Sequence, residues 1–186
     1  NMEEAFFDAE HFFDGFKREP EYALAVLRTA WEHGADCLAL CDTNGGTMPE
    51  EISSIIRTVR ERLPHALLGI HAHNNQQCAF ANTIEALSMG ASYLDGTLSG
   101  MGRGAGNCAL EALIGFLKNP RYQLDPLLRF IQKDILALKE AGCVWGYDIP
   151  YLLTGLLDQH PRTAIAATKA HDTNYSAFYQ MLLDKD

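Results

Sequence analysis

The residues able to do chemistry fall into a few short clusters. His71-Ala72-His73-Asn74 follows the apolar run Ala66 to Ile70. Residues two apart on a strand project to the same face, so both imidazoles can aim at one point. Neutral imidazole is a good ligand for divalent transition metals, and carboxylate or amide oxygens can complete such a shell. Two polar residues opening a helix, one of them capping it, are the plainer alternative. In Asp42-Thr43-Asn44-Gly45-Gly46 an acid at a strand end can hold a metal-bound water, orient a carbonyl or act in acid–base catalysis. Asn-Gly-Gly forms a turn regardless, with the Asp bonded to backbone. The run Gly100 to Asn107 offers closely approaching backbone, one cation (Arg103) for an anionic substrate and an amide (Asn107) opening a helix. Its glycine spacing matches a dinucleotide fingerprint only loosely, and a purely structural loop is the alternative.

The segment Asp8 to Asp14 packs Asp8, Glu10, His11 and Asp14 around aromatic residues, as a pocket wall or as a solvated turn. Cys108 stands where a helix N-terminus favours thiolate, although free cysteine is more often a buried small hydrophobe. His33, His65 and His171 read as surface residues.

The elements that must position these clusters repeat as strand, loop and helix. Strands are expected at Ala5-Phe6-Phe7, Cys37 to Cys41, Ala66 to Ile70 and Tyr93 to Asp95. After Pro20, Tyr22, Ala23, Val26, Leu27, Ala30 and Trp31 recur at helical spacing, and Gly34 stops that helix. Thr47 and Glu50 read as a capping box for a helix with Ile52, Ile55, Ile56 and Val59 on its apolar face. A third helix carries Phe80, Ile84 and Leu87 and ends at Gly90. Beyond Asn107 only helices are expected, near 107–117, 124–141, 148–159 and 174–183. Such spacing is that of parallel strand–helix units with right-handed crossovers, and every unusual residue lies after a strand, where α/β barrels keep their chemistry. A closed barrel needs eight units and about 250 residues, so the expected fold is α/β, a partial TIM barrel. It comprises four parallel strand–helix units over 2–118 and a C-terminal helical extension, 119–186, packing on the barrel.

The chain of 186 residues sets 15 Lys and Arg against 24 Asp and Glu, a formal charge of −9. That acidity repels phosphate backbones and anionic membrane surfaces, which excludes nucleic acid and membrane as expected partners. No apolar run approaches a membrane span, and no signal-peptide pattern opens the chain. Five scattered cysteines without a Cys-x-x-Cys pair suit free thiols in a reducing cytoplasm. Asn1 ahead of Met2 is read as extraneous to the fold.

Taken in order, these motifs resemble the DRE-TIM metallolyases, the HMG-CoA-lyase-like or pyruvate-carboxyltransferase-like barrels, from about Phe6 to Leu117. The ordered pair His-x-His-Asn and a glycine-rich loop ending in Gly-Asn carries the resemblance. It implies the last four strands of the family barrel, with His71, His73 and Asn107 holding Mn²⁺ or Mg²⁺ and Asp42 beside the substrate. It further implies enolate chemistry on a small 2-oxo acid derived from pyruvate. Phe7 to Gly15 and Cys41 to Thr47 look like citramalate-synthase-type sequence, whereas the chain from His71 onward looks more like the aldolase branch. The synthases usually carry Gly-Glu-x-x-Gly-Asn, and Arg103 stands at the Glu position here. Trp145 to Tyr151 is similar to the aldolase segment presenting a catalytic tyrosine, a role that transfers to Tyr147, with Tyr151 the neighbouring option.

The family's first strand supplies an Arg-Asp pair, and no such pair precedes Phe6. The leading expectation is therefore a metal-dependent carbon–carbon lyase or aldolase, impaired as this chain alone, with weak metal binding and Arg103 substituting only for charge. The alternatives are an acyl-CoA-dependent Claisen synthase of the citramalate or isopropylmalate type, and a non-catalytic half-barrel. A four-stranded sheet with two free edges and an exposed apolar face suggests a homo-oligomer or a completing half-barrel as partner.

Overall fold

The computed structural model describes residues 3–184. Asn1, Met2, Lys185 and Asp186 lie outside the described residues, and with them the reading of Asn1 and the outer limits of both expected segments. Four strands form one parallel sheet in sequential order: β1 (Phe6–Ala9), β2 (Cys37–Asp42), β3 (Leu68–Ala72) and β4 (Tyr93–Leu94). The connections run through α1 (Phe12–Arg18) and α2 (Pro20–Glu32), then α3 (Pro49–Arg62), then α4 (Ala79–Ser88). After a short turn at Leu98–Gly100 come α5 (Leu110–Leu117), α6 (Leu124–Phe130), a π-helical stretch (Ile131–Ile135) and α7 (Leu136–Glu140). The chain ends with α8 (Ile149–Leu156), α9 (Arg162–Lys169) and α10 (Tyr175–Leu183).

The period-two alternation of a strand divides the sheet into two chemically different faces. Ala9, Leu38, Leu40, Leu68, Ile70 and Ala72 point toward the helices and join Leu24, Leu27, Ile52, Ile56 and Val59 in the core. Each of the largest of these, fully buried, is worth roughly 1.5–3 kcal/mol of transfer free energy. Intervening positions face away from the helices, and a Cβ added to Gly69 there would come within 3.3 Å of Cys37 Sγ and 3.4 Å of Tyr93 Cβ. This second face is not the exposed apolar surface expected of an open sheet. The sheet curls until Phe6 on β1 reaches Tyr93 on β4, ring centroids 4.7 Å apart and edge to face. Cys37, Ala39 and Cys41 on this face are buried. Burial pushes the Cys37 and Cys41 thiols up to about 11 and about 12, so they remain protonated.

Local structure departs from the sequence reading in four places. The segment after β1 is more than a solvated turn, since Phe12 and Phe13 bury their rings and start α1. Thr47 and Glu50 do not cap α3; Met48 is the N-cap, Pro49 is the first helical residue, and Glu51 accepts the Met48 amide at 2.8 Å. Thr47 instead turns inward to Asp42. β3 extends through His71 and Ala72, and α9 is a further helix at 162–169. Cys108 agrees with the commoner of its two expected fates: its thiol is buried, and burial raises it, the state of a packed small residue rather than of a nucleophile.

The helices after residue 140 return to the C-terminal rim of the sheet. Asn75 Nδ2 donates to the Tyr151 carbonyl at 3.2 Å, Gln76 Nε2 to that of Gly155 at 3.1 Å, and the Gly146 amide to that of Gly104 at 2.9 Å. Gly46 and Gly104 allow this approach, because a Cβ on either would strike the Gly155 carbonyl or the Tyr151 ring.

Candidate active site

His71 lies within β3 and His73 one residue beyond its end, on the face away from the helices. Their ring centroids are 5.1 Å apart with planes at 84°, so the two imidazoles converge. His73 also pairs with Asn107 in an isolated antiparallel bridge. Directly opposed residues in such a bridge carry their side chains on the same side, Cβ atoms about 5 Å apart. The glycine-rich loop makes this possible: Gly100 O accepts the Asn107 amide and Gly106 O that of Asn74, at 3.0 and 2.9 Å. Gly102 leaves room for the Asn107 side chain, whose Nδ2 donates to the Met101 carbonyl at 3.3 Å.

Two of these side chains present buried polar atoms without a hydrogen-bond partner, His73 Nδ1 and Asn107 Oδ1. Burial, then the Arg103 cation, lowers His73 to about 4, so its ring is neutral at physiological pH. His71 Nδ1 lies 3.1 Å from Asp95 Oδ2. That contact, opposed by burial, raises the His71 pKa. It also orients the ring with Nε2 free, as carboxylates behind metal-binding histidines do. These atoms fit part of a divalent-metal shell: two imidazole nitrogens and one amide oxygen. Among the described residues, no three His, Cys, Asp or Glu side chains gather closely enough to hold a metal by themselves.

Asp42 does not join this group. It shares the parity of Leu38 and Leu40 and points toward the helices, 1 % exposed. Thr47 Oγ1 donates to its Oδ1 at 3.0 Å and Asn82 Nδ2 to its Oδ2 at 3.3 Å. Desolvation pushes its pKa up to about 7 against the hydrogen bond from Thr47. Arg103 does reach the rim, its Nη2 donating to the Thr43 carbonyl at 3.1 Å. Tyr147 is 63 % exposed. It borders a cleft of about 250 Å³ whose wall includes Asn107, Phe80 and Trp145. Tyr151 is buried, and its ring lies against Gly104. Burial raises the Tyr151 phenol above its usual range, opposed by Arg103.

Several rim residues carried no individual role in the sequence reading. Glu10 accepts the Thr43 hydroxyl at 3.2 Å, and Thr43 Oγ1 in turn accepts the His11 amide at 2.8 Å. Asp8 and Glu10 add to the negative field that raises His71. Strand parity could have found Asp95, which shares the face of Tyr93 one strand from His71. No sequence signal points to His160, which reaches His11 across most of the chain.

A curled parallel sheet backed by helices, with polar residues gathered where its strands end, is part of an α/β barrel with its site on the C-terminal rim. Residues 7–133 match the HMGL-like family, and the chain belongs to it. It is similar to an (R)-citramalate synthase of Geobacter sulfurreducens, 51% identical over 118 residues, covering 63% of this chain and 22% of that protein. A 4-hydroxy-2-oxovalerate aldolase of Thermus thermophilus is 35% identical over 143 residues, covering 67% and 41%. Among solved structures, the N-terminal domain of a candidate aldolase from Bacteroides vulgatus superposes with a TM-score of 0.74 at 26% identity, covering 94% of this chain and 57% of that one. The chain thus spans about a fifth of the citramalate synthase length and under half of the aldolase. No helix among the described residues is long and apolar enough to cross a membrane.

Proposed function

We propose that this chain provides the C-terminal half, residues 2–118, of the catalytic barrel of an acyl-CoA-dependent carboligase of the citramalate-synthase type, with 119–186 as a helical cover for its rim. The similarity to (R)-citramalate synthase over 118 residues supports the reading and favours it over the aldolase expected first. His71, His73 and Asn107 would hold a divalent cation, Mn²⁺ or Mg²⁺. Bound there, the cation would supply Lewis-acid polarisation of a 2-oxo carbonyl. Arg103, placed by its bond to Thr43, offers its remaining N–H groups to the substrate carboxylate. Glu10 fixes the Thr43 hydroxyl between two partners. Tyr151 lies buried against Gly104 at the rim.

The aldolase reading has its own support in the Thermus relative, whose match covers more of this chain. The two are separated by supplying pyruvate and acetyl-CoA with Mn²⁺ to the barrel completed by its other half and following thiol release, against pyruvate release from a 4-hydroxy-2-oxo acid. Thiol release dependent on pyruvate is expected. Pyruvate release without any thiol release would reverse the assignment.

A further inference from the structure

A second cluster of titratable groups on the same rim has a geometry that packing alone does not require. The rings of His11 and His160 lie 5.0 Å apart, inclined by 31°. Their hydrogen bonds select opposite tautomers. His11 Nδ1 lies 3.3 Å from Asp14 Oδ2, an ionised carboxylate only accepts, and so the proton sits on Nδ1 and the Nε2 lone pair is free. His160 Nδ1 lies 3.2 Å from the Arg162 amide and must accept from it, which puts the ring proton on Nε2. Desolvation, with His11, Arg162 and Arg103 nearby, lowers the His160 pKa and keeps this ring neutral.

The surroundings fix the pair in place. The same Asp14 oxygen, Oδ2, also accepts Asn44 Nδ2 at 2.6 Å. His11 adopts left-handed backbone at φ 56, a conformation that costs a non-glycine residue free energy and recurs at functional sites. Its amide donates to Thr43 Oγ1, the hydroxyl that also bonds Glu10. Thr43 joins the pair to Arg103 on this rim: its hydroxyl oxygen accepts the His11 amide and its carbonyl accepts Arg103 Nη2.

We propose that His11 and His160 are a base–acid pair for the carbon–carbon bond-forming step, an inference that rests on the carboligase reading. His11 Nε2 takes a proton from the carbon acid, and the C–H electron pair becomes the enolate. That pair forms the bond to the 2-oxo carbon, and the carbonyl π pair moves to oxygen, which takes the Nε2 proton of His160. The extra proton on His11 then passes to His160, and both rings end as they began. One proton has moved from carbon to oxygen.

Two measurements test the pair. Long-range ¹⁵N–¹H correlation on the histidine-labelled 186-residue chain at neutral pH should show His11 protonated at Nδ1 and His160 at Nε2; either ring in the opposite tautomer overturns the proposal. In the condensation assay, H11N and H160Q should each lower kcat by roughly 10²- to 10⁴-fold, with the KM for the 2-oxo acid and the Mn²⁺ affinity unchanged. H11N should also abolish deuterium exchange at the thioester methyl group, and H160Q should retain it. Either variant keeping the parental kcat, or losing only KM, overturns the pair. Asparagine tolerates the backbone of position 11, and exposed His160 gives a variant whose folding is not at risk. Should the parent release no thiol, the carboligase reading fails by itself. The pair is then judged by its tautomers and by cleavage of a 4-hydroxy-2-oxo acid, which runs the same proton transfers in reverse.

Discussion

Asp42 lies on the helix side of β2, and its burial makes stability depend on pH in a defined direction. Its folded pKa of about 7 stands above the ordinary value of 3.8, so the folded chain binds this proton more tightly than the unfolded one. Its favourable contribution is complete below about pH 4 and is lost as pH rises through 7, by roughly 4 kcal/mol at 1.36 kcal/mol per unit. Denaturant titration of the parent between pH 4 and 8 should follow that loss, while D42N should lack it; parallel curves for the two would refute it. Asp95 acts instead through His71, whose ring it orients. D95N should weaken Mn²⁺ binding about 10- to 100-fold, measured calorimetrically, with little change in unfolding midpoint. His71 and His73 were legible in the sequence because strand parity alone puts two imidazoles on one face. Parity also separated Asp42 from them once the β2 register with Leu38 and Leu40 was known, and composition could not say which face would be the core.

At the scale of elements, the glycine-rich loop presents Asn107 beside His73. Gly106 has φ +83, and a Cβ there would run into the Gly100 carbonyl that accepts the Asn107 amide. G106A should therefore release Asn107 and reduce metal affinity more than stability. Mn²⁺ titration together with a thermal melt checks this, and unchanged affinity would remove Asn107 from the ligand set. The helices α2 and α3 were readable because Pro20, Gly34 and the spacing of Ile52, Ile55, Ile56 and Val59 act locally. The α3 cap was not, since Thr47 has a buried carboxylate to satisfy and Glu51, one position further on, takes the Met48 amide instead. α1 escaped for a related reason: burial of Phe12 and Phe13 outweighs the polar residues around them.

For the whole molecule, curling decides what association is possible. Contact between Phe6 and Tyr93 covers the N-terminal end of the face away from the helices, while the edges β1 and β4 have no strand partners among the described residues. A double-mutant cycle with F6L and Y93L should give a coupling of about 0.5–1.5 kcal/mol, read from denaturant unfolding. Phe6 is 48 % exposed, which places it at the lower end of that range. A cycle energy of zero would mean that the sheet opens in solution. Edge pairing predicts a concentration-dependent rise in sedimentation coefficient, and a monomer at all concentrations would argue against a half-barrel that associates through β1 and β4.

The amino-acid order by itself determined the strand–helix repeat, the parallel class of the sheet and the placing of His71, His73 and Asn107 at or beyond the C-terminal ends of strands, because periodicity, proline and glycine act over a few residues. Only the tertiary structure decided that Asp42 faces the core, that Phe6 meets Tyr93 across the sheet and that His160 meets His11. Those outcomes depend on sheet curvature and on contacts between residues far apart in sequence, which no local pattern encodes.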